Sequence, residues 1–211
     1  MRVIAIDGPA GSGKSTVARA LAGRLGLEYL DTGAMYRGVT FAALRRGIDP
    51  GDATVVARLV RDVELEVGPE AVVVDGTDAT IEIRGPEVSR AVSIVAANPQ
   101  VRTELVRRQR EWTAARGGGV LEGRDIGSVV FPQAELKVYL TADPDVRAQR
   151  RAEEVSDLDY ETVAADLARR DAYDQGRAES PLTEADGAVV IDTTGRSVEE
   201  IVASIVEHLD G

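Results

Sequence analysis

The 211-residue chain contains no cysteine, which excludes disulfides, thiolate metal sites and thiol catalysis. Its single histidine, His208, lies close to the C-terminus, so zinc-hydrolase chemistry and a Ser-His-Asp arrangement lack the residues they need. Lysine is almost as scarce: Lys14 and Lys137 are the only lysines among 25 basic residues, the rest being arginines. Asn98 is the only asparagine. No apolar run approaches the length of a membrane span, and only Val3 to Ile6 stand before Asp7, too short a stretch for a signal-peptide core. A cytoplasmic location without membrane partners is therefore expected. The net charge of -11 works against a nucleic-acid partner, because such binders carry a basic face. A small anionic ligand can still be held locally by clustered arginines. There are no internal repeats and no low-complexity tracts, and the apolar content of 44% is ample for one buried core. A monomer is expected.

Against these absences stands Gly8-Pro9-Ala10-Gly11-Ser12-Gly13-Lys14-Ser15-Thr16, which satisfies every fixed position of the phosphate-cradling pattern G-x-x-x-x-G-K-[ST]. It follows Val3-Ile4-Ala5-Ile6, an apolar run suited to a strand buried on both faces of a parallel sheet. A helix is predicted from about Ser15, with Val17, Ala18, Leu21 and Leu25 on its apolar face and Gly26 at its end. The glycines let successive backbone N–H groups converge on a phosphate at the positive end of that helix. Lys14 is expected to face solvent and reach the β- and γ-phosphates, and the Ser15 hydroxyl to ligate Mg²⁺.

Further along, Glu28-Tyr29-Leu30 reads as a second strand leading to Asp31, Thr32 and Arg37, either on the ligand rim or as a plain helix cap. From Asp62 to Glu87 the period changes to two. Val63 to Val67, Val72 to Val74 and Ile81 to Ile83 predict a small antiparallel meander inserted beside the main sheet. Asn98-Pro99 starts a helix with Val101, Leu105 and Trp112 inward, carrying Arg102, Arg107, Arg108 and Arg110. Strands are predicted at Val120 to Glu122, Leu136 to Leu140 and Ala188 to Ile191. After Asp143-Pro144, Arg147, Arg150 and Arg151 share a helix face and repel one another unless an anion lies between them. A helix from Tyr160 to Tyr173 puts Arg170, Asp174 and Arg177 on one face if it runs on. The two arginine clusters flank Asp157 to Asp159 and suggest a closing lid. Ser197 to Glu200 is a capping box for the last helix.

A phosphate cradle alone does not name a reaction. A GTPase-like switch needs Asn followed by Lys, whereas Asn98 is followed by Pro99. A motor ATPase needs a larger domain and a strand ending in adjacent acids. The contest lies among small-molecule kinases, with another nucleoside monophosphate as acceptor, or an NTP-binding switch protein, as the alternatives. Here the chain resembles the bacterial cytidylate kinases. The likeness is carried, in order, by Gly8 to Thr16, Leu30 to Arg37, Ser93 to Ala96, Pro99 to Arg102, Arg107 to Arg110 and Glu122 to Gly127. It continues through Val130 to Pro132, Arg147 to Arg151, and Arg170 to Arg177 with Pro181-Leu182. Shikimate and dephospho-coenzyme A kinases share the phosphate loop but are not expected to share this combination.

The resemblance implies an α/β P-loop three-layer fold with a five-stranded parallel sheet, a small β-containing insertion that binds the nucleoside monophosphate, and a helical lid. It implies a core of residues 1–37, 116–146 and 178–211, an insertion near 38–115 and a lid near 147–177. The activity implied is transfer of the ATP γ-phosphate to CMP or dCMP, with Mg²⁺. Thr32, Ser93, Arg102, Asp125 and Arg177 would surround the cytosine, Asp174 would hold the sugar, Arg124 and Arg170 would grip the acceptor phosphate, and Arg37 would join them. Lys14, Arg124, Arg170, Arg147 and Arg151 form the implied catalytic set. Thr32 replaces the serine more usual there, and residues 152–172 are a few residues shorter than is typical.

Overall fold

The computed structural model describes residues 1–154, 159–176 and 182–210. β1 (Arg2–Asp7) buries Val3 to Asp7, with Ile4 and Ile6 fully enclosed, each contributing roughly 1.5–3 kcal/mol of apolar burial. α1 (Lys14–Leu25) buries Val17, Ala18, Leu21 and Ala22 and ends at Gly26 in the left-handed region. β2 (Tyr29–Asp31) lies one residue later than expected, because the Asp31 side chain caps α2 (Thr32–Arg45) by accepting the Ala34 N–H at 2.9 Å. α3 (Ala53–Asp62) is capped in the same way by Asp52, whose side chain accepts from Val55.

The predicted meander is present as β3 (Leu65–Val67), β4 (Val72–Val74) and β5 (Thr77–Asp78), paired antiparallel in that order. Its third strand is not Ile81 to Ile83, as the alternation suggests. Asp78 Oδ1 accepts from Thr80 N at 3.0 Å and Thr80 Oγ1 at 2.6 Å, and Ile83 N donates to Ala79 O at 2.9 Å, so the chain turns into a short helical turn at Glu82–Arg84. Ile83 is then fully buried while Ile81 is 82% exposed.

α4 (Pro86–Ala96) leads to α5 (Pro99–Ala115), where Asn98 accepts from Gln100 N and Val101 N and Pro99 occupies the first turn. Val101 and Leu105 are inward as expected. Trp112 is only half-buried, under the Arg116 guanidinium 4.4 Å from its ring centroid, and Gln109 and Thr113 take the core-facing positions. β6 (Gly118–Gly123) is followed by a single wide helical turn over Ile126–Val130, whose Phe131 N donates to Ile126 O at 2.7 Å. β7 (Leu136–Thr141), α6 (Pro144–Glu154) and α7 (Tyr160–Gln175) come next, with Val163 and Leu167 of α7 packed on Ala148 of α6. β8 (Val189–Asp192) and α8 (Val198–Asp210) close the chain. The capping box at α8 is complete: Ser197 N donates to Glu200 Oε2 at 2.8 Å and Glu200 N to Ser197 Oγ at 3.2 Å.

The main sheet is five-stranded in the order β2-β6-β1-β7-β8, with β1 parallel to β6 and β7, and β7 parallel to β8. The chain divides into two compact units, residues 1–28 with 118–211, and residues 29–117. Residues 155–158 and Arg177 to Pro181, among them part of the segment read as a lid, lie outside the described residues.

Candidate active site

In the first unit the loop after β1 has no room for side chains at two points. A Cβ on Gly8 would stand 2.1 Å from the Leu140 carbonyl oxygen of β7, and one on Gly11 would stand 2.7 Å from the Arg147 carbonyl oxygen of α6. Both glycines have positive φ, 149° and 76°. The loop is thus gripped by two neighbouring backbones. Two side-chain links add to the grip: Arg147 Nη1 donates to Ala10 O at 3.1 Å, and the Thr193 hydroxyl accepts from Arg150 Nη1 at 2.9 Å while donating to Ser12 O at 3.1 Å.

Lys14 does not face solvent. It is 6% exposed, and its Nζ donates to Pro9 O at 2.6 Å and Ser12 Oγ at 3.4 Å, which holds the ammonium against the loop. Ser15 Oγ donates to Glu122 Oε2 at 2.9 Å, bringing the end of β6 to the first turn of α1. Thr16 is exposed.

Asp7, the last residue of β1, is buried and accepts two successive backbone N–H groups, Ile126 N on Oδ1 at 2.9 Å and Gly127 N on Oδ2 at 2.8 Å. Burial pushes its pKa up to about 6. The two N–H groups and Lys14 pull it down, and Asp125 pushes it up.

A guanidinium cluster completes this unit. Arg124 Nε lies 3.2 Å from Asp174 Oδ2, and Arg147 pairs with Asp171. Burial pushes Arg170 down to about 10, and the nearby charges of Arg124 and Arg151 push the same way against Asp174 and Asp171. Arg170 as a residue is half-buried, yet its Nε is enclosed without a hydrogen-bond partner, as are Arg147 Nε and Asp171 Oδ1. Buried donors left over in this way suit a ligand rich in acceptor oxygens.

The second unit holds the other expected residues on three helices. Thr32 opens α2, buried, and Asp31 beside it both caps that helix and lies 3.3 Å from Arg84. Arg37 of α2 donates to Ile83 O at 2.9 Å and Ser89 Oγ at 3.0 Å. Ser93 is buried on α4. Arg102 is buried on α5, with Nη1 3.4 Å from Ala96 O and its guanidinium 5.7 Å from the Tyr36 ring centroid.

The sequence profile of the cytidylate kinases matches residues 4–210. The chain belongs to the cytidylate kinase family. It is 47% identical over 209 residues to the cytidylate kinase of Mycobacterium leprae (strain Br4923), covering 97% of this chain and 94% of the other. To that of Desulfitobacterium hafniense (strain Y51) it is 49% identical over 210 residues, covering 96% and 90%. A gluconokinase from Sinorhizobium meliloti 1021 shares the fold, with a TM-score of 0.50 at 16% identity over 99% of this chain and 91% of the other.

For a cytidylate kinase, the sequence reading named the loop, Arg124, Asp125, Arg170, Asp174 and the α6 arginines; the structure gathers Arg124, Arg151, Arg170 and Asp174 in one charged cluster. Thr32, Arg37, Ser93 and Arg102 fall in the other unit. Arg177 lies outside the described residues. Asp7, Glu122, Asp171 and Thr193 have no role assigned from sequence. Their partners lie 24 to 181 residues away along the chain, so no local pattern marks them.

Proposed function

We propose that this chain transfers the γ-phosphate of ATP to CMP or dCMP, giving ADP and CDP or dCDP, within pyrimidine nucleotide salvage in the cytoplasm. The observation that carries the reading is the cluster of Arg124, Arg151 and Arg170 in the same unit as the Lys14 loop, with Arg170 driven down by burial and by its neighbours' charge. Two polyanions must be brought in line, and guanidinium forks offset their mutual repulsion. Backbone N–H groups of the loop Gly8 to Thr16, Pro9 having none, and Lys14 Nζ bind the donor phosphates. Arg124 and Arg170 hold the acceptor phosphate, which is already ionised at pH 7 and needs no general base. Arg147 and Arg151 neutralise the group in transit.

Hard oxygen donors at Ser15 and Glu122 suit Mg²⁺, which keeps several waters and takes few protein ligands; among the described residues no larger acidic or histidine cluster could hold a metal. When bound there, Mg²⁺ offsets charge on the donor phosphates. On the acceptor side, residues 38–115 serve the nucleoside monophosphate and residues 147–177 act as the lid. Thr32, Ser93, Arg102 and Arg177 meet the base and Asp174 the sugar, with Arg37 joining the phosphate ligands. Among the described residues no helix is long and apolar enough to cross a membrane. The protein works as a monomer on small molecules, without nucleic acid.

Cytosine presents a 4-amino donor where uracil presents a carbonyl. An ionised Asp125 is acceptor-only and matches the first. A mismatch in a closed site costs roughly 1–3 kcal/mol, so CMP is expected to exceed UMP by about tenfold or more in kcat/KM. ADP release measured across the common nucleoside monophosphates tests this. Asp125→Ala should shrink the CMP to UMP ratio towards one; an unchanged ratio, or wild-type protein that uses AMP or UMP as well as CMP, overturns the reading.

A further inference from the structure

Asp7 has no part in the scheme above, yet it is the buried carboxylate whose bonds join the phosphate loop's strand to the turn that follows Arg124 and Asp125. It is 4% exposed, it immediately precedes Gly8, and both of its oxygens are spent on the N–H groups of Ile126 and Gly127. These N–H groups open the wide turn Ile126–Val130 and have no partner within it, so they need an acceptor from elsewhere. A residue in the position of Asp125 often supplies that acceptor from its own side chain, but here it makes no such cap. The acceptor comes from β1 instead, across 119 and 120 residues of chain.

We infer that Asp7 is a positioning residue for acceptor selection: by capping the 126–130 turn it fixes where Asp125 presents its carboxylate relative to the phosphate loop. The inference rests on the reading of Asp125 as the group that meets the cytosine amine. An acid is a costly choice at this place. Burial and the neighbouring Asp125 charge both disfavour an ionised Asp7, and Lys14 and the two N–H groups only partly offset them. A carboxylate does offer what an amide cannot, two acceptor oxygens side by side for two adjacent donors. In Asp7→Asn one of the two N–H groups would face an NH₂, and the turn would have to shift.

The test is the CMP to UMP ratio of kcat/KM in Asp7→Asn, in Asp125→Ala and in the double variant, with folding checked by thermal melts. Asp7→Asn should lower kcat/KM for CMP by roughly ten- to a hundredfold, chiefly through KM for CMP, and bring the ratio within about threefold of one. In the double variant the ratio should be no lower than in Asp125→Ala alone, since both changes act through one carboxylate. If Asp7→Asn loses activity with its ratio intact, or loses only affinity for ATP, Asp7 serves the phosphate loop or the fold and the inference fails. If Asp125→Ala itself leaves the ratio unchanged, the reading of the cytosine contact fails first, and the two failures are told apart. Should Asp7→Asn not fold, the wild-type Asp7 carboxyl ¹³C resonance is followed instead. It should shift when CMP is added without ATP, and a resonance that does not move overturns the inference.

Discussion

Two helices in this chain are rich in arginine, and they use it in different ways. On α5, Arg107 lies 2.6 Å from Glu104 and 2.5 Å from Glu111, and Arg108 lies 2.7 Å from Glu104, so the acids that cancel the charge stand three or four residues away on the same helix. Arg108 also donates to the Val63 and Val60 carbonyls at the end of α3. On α6, Arg147 and Arg150 reach other elements: Ala10 of the phosphate loop, Asp171 of α7 and Thr193 after β8. Stacked like charges on α6 had suggested that an anion must separate them. Each of these two instead finds its own partner in the chain, and the arginine pushed down by burial and by the charges of Arg124 and Arg151 is Arg170 on α7. Arginine content therefore says little about a helix. What matters is whether the balancing acid is local.

That contrast can be broken from its catalytic end first. Lys14→Ala should lower kcat by on the order of a thousandfold, the scale of removing one preorganised charge from a phosphoryl-transfer site. Because Lys14 is buried against Pro9 O, the variant should also be checked by circular dichroism and thermal melting. A folded Lys14→Ala protein with near-normal turnover would remove the phosphate loop from the mechanism.

Arg147 gives the next largest effect, and it divides structure from activity. Arg147→Ala leaves Asp171 with neither oxygen paired, since Oδ1 already lacks a partner. The expected loss is about 2–3 kcal/mol in urea unfolding, with kcat/KM for ATP falling by roughly tenfold as the loop loses its Ala10 contact. Adding Asp171→Ala should recover much of the stability and none of the activity. Recovery of both would mean that Arg147 matters only as a partner for Asp171.

How legible this was in sequence follows the same local-against-distant rule. The phosphate loop was readable because its fixed residue types lie within nine consecutive positions, and the Asn98-Pro99 start of α5 and the Ser197 capping box because their hydrogen bonds close within four residues. Ile81 to Ile83 misled because three alternating residues fit a strand and a helical turn equally, and the Asx turn at Asp78 decided the outcome. Trp112, seven residues after Leu105, lies near the edge of the inward stripe, and Gln109 and Thr113, four and eight residues after Leu105, hold its centre. Asp7 looked like the last residue of a strand. Only the fold shows that its two oxygens cap a turn formed more than a hundred residues later.

The smallest effect belongs to the α5 side of the comparison. Hydrogen bonds from Arg107, joined by those from Arg108, hold the Glu104 carboxyl at about 2, against an ordinary value near 4.5. A carboxyl held low in the folded state contributes stability that is fully present above its unfolded pKa and is lost as pH falls towards the folded one. The window is therefore about pH 4.5 down to about 2. Arg107 is exposed, so solvent and salt screen most of this contribution. Arg107→Ala should leave kcat and both KM values unchanged and lower the melting temperature only slightly at pH 7. The difference from wild type should shrink as pH falls through that window, because protonated Glu104 no longer gains from the pair, and 1 M salt at pH 7 should shrink it as well. A loss of turnover in Arg107→Ala, or a melting difference that grows in acid, would show that the α5 arginines are more than a locally balanced surface.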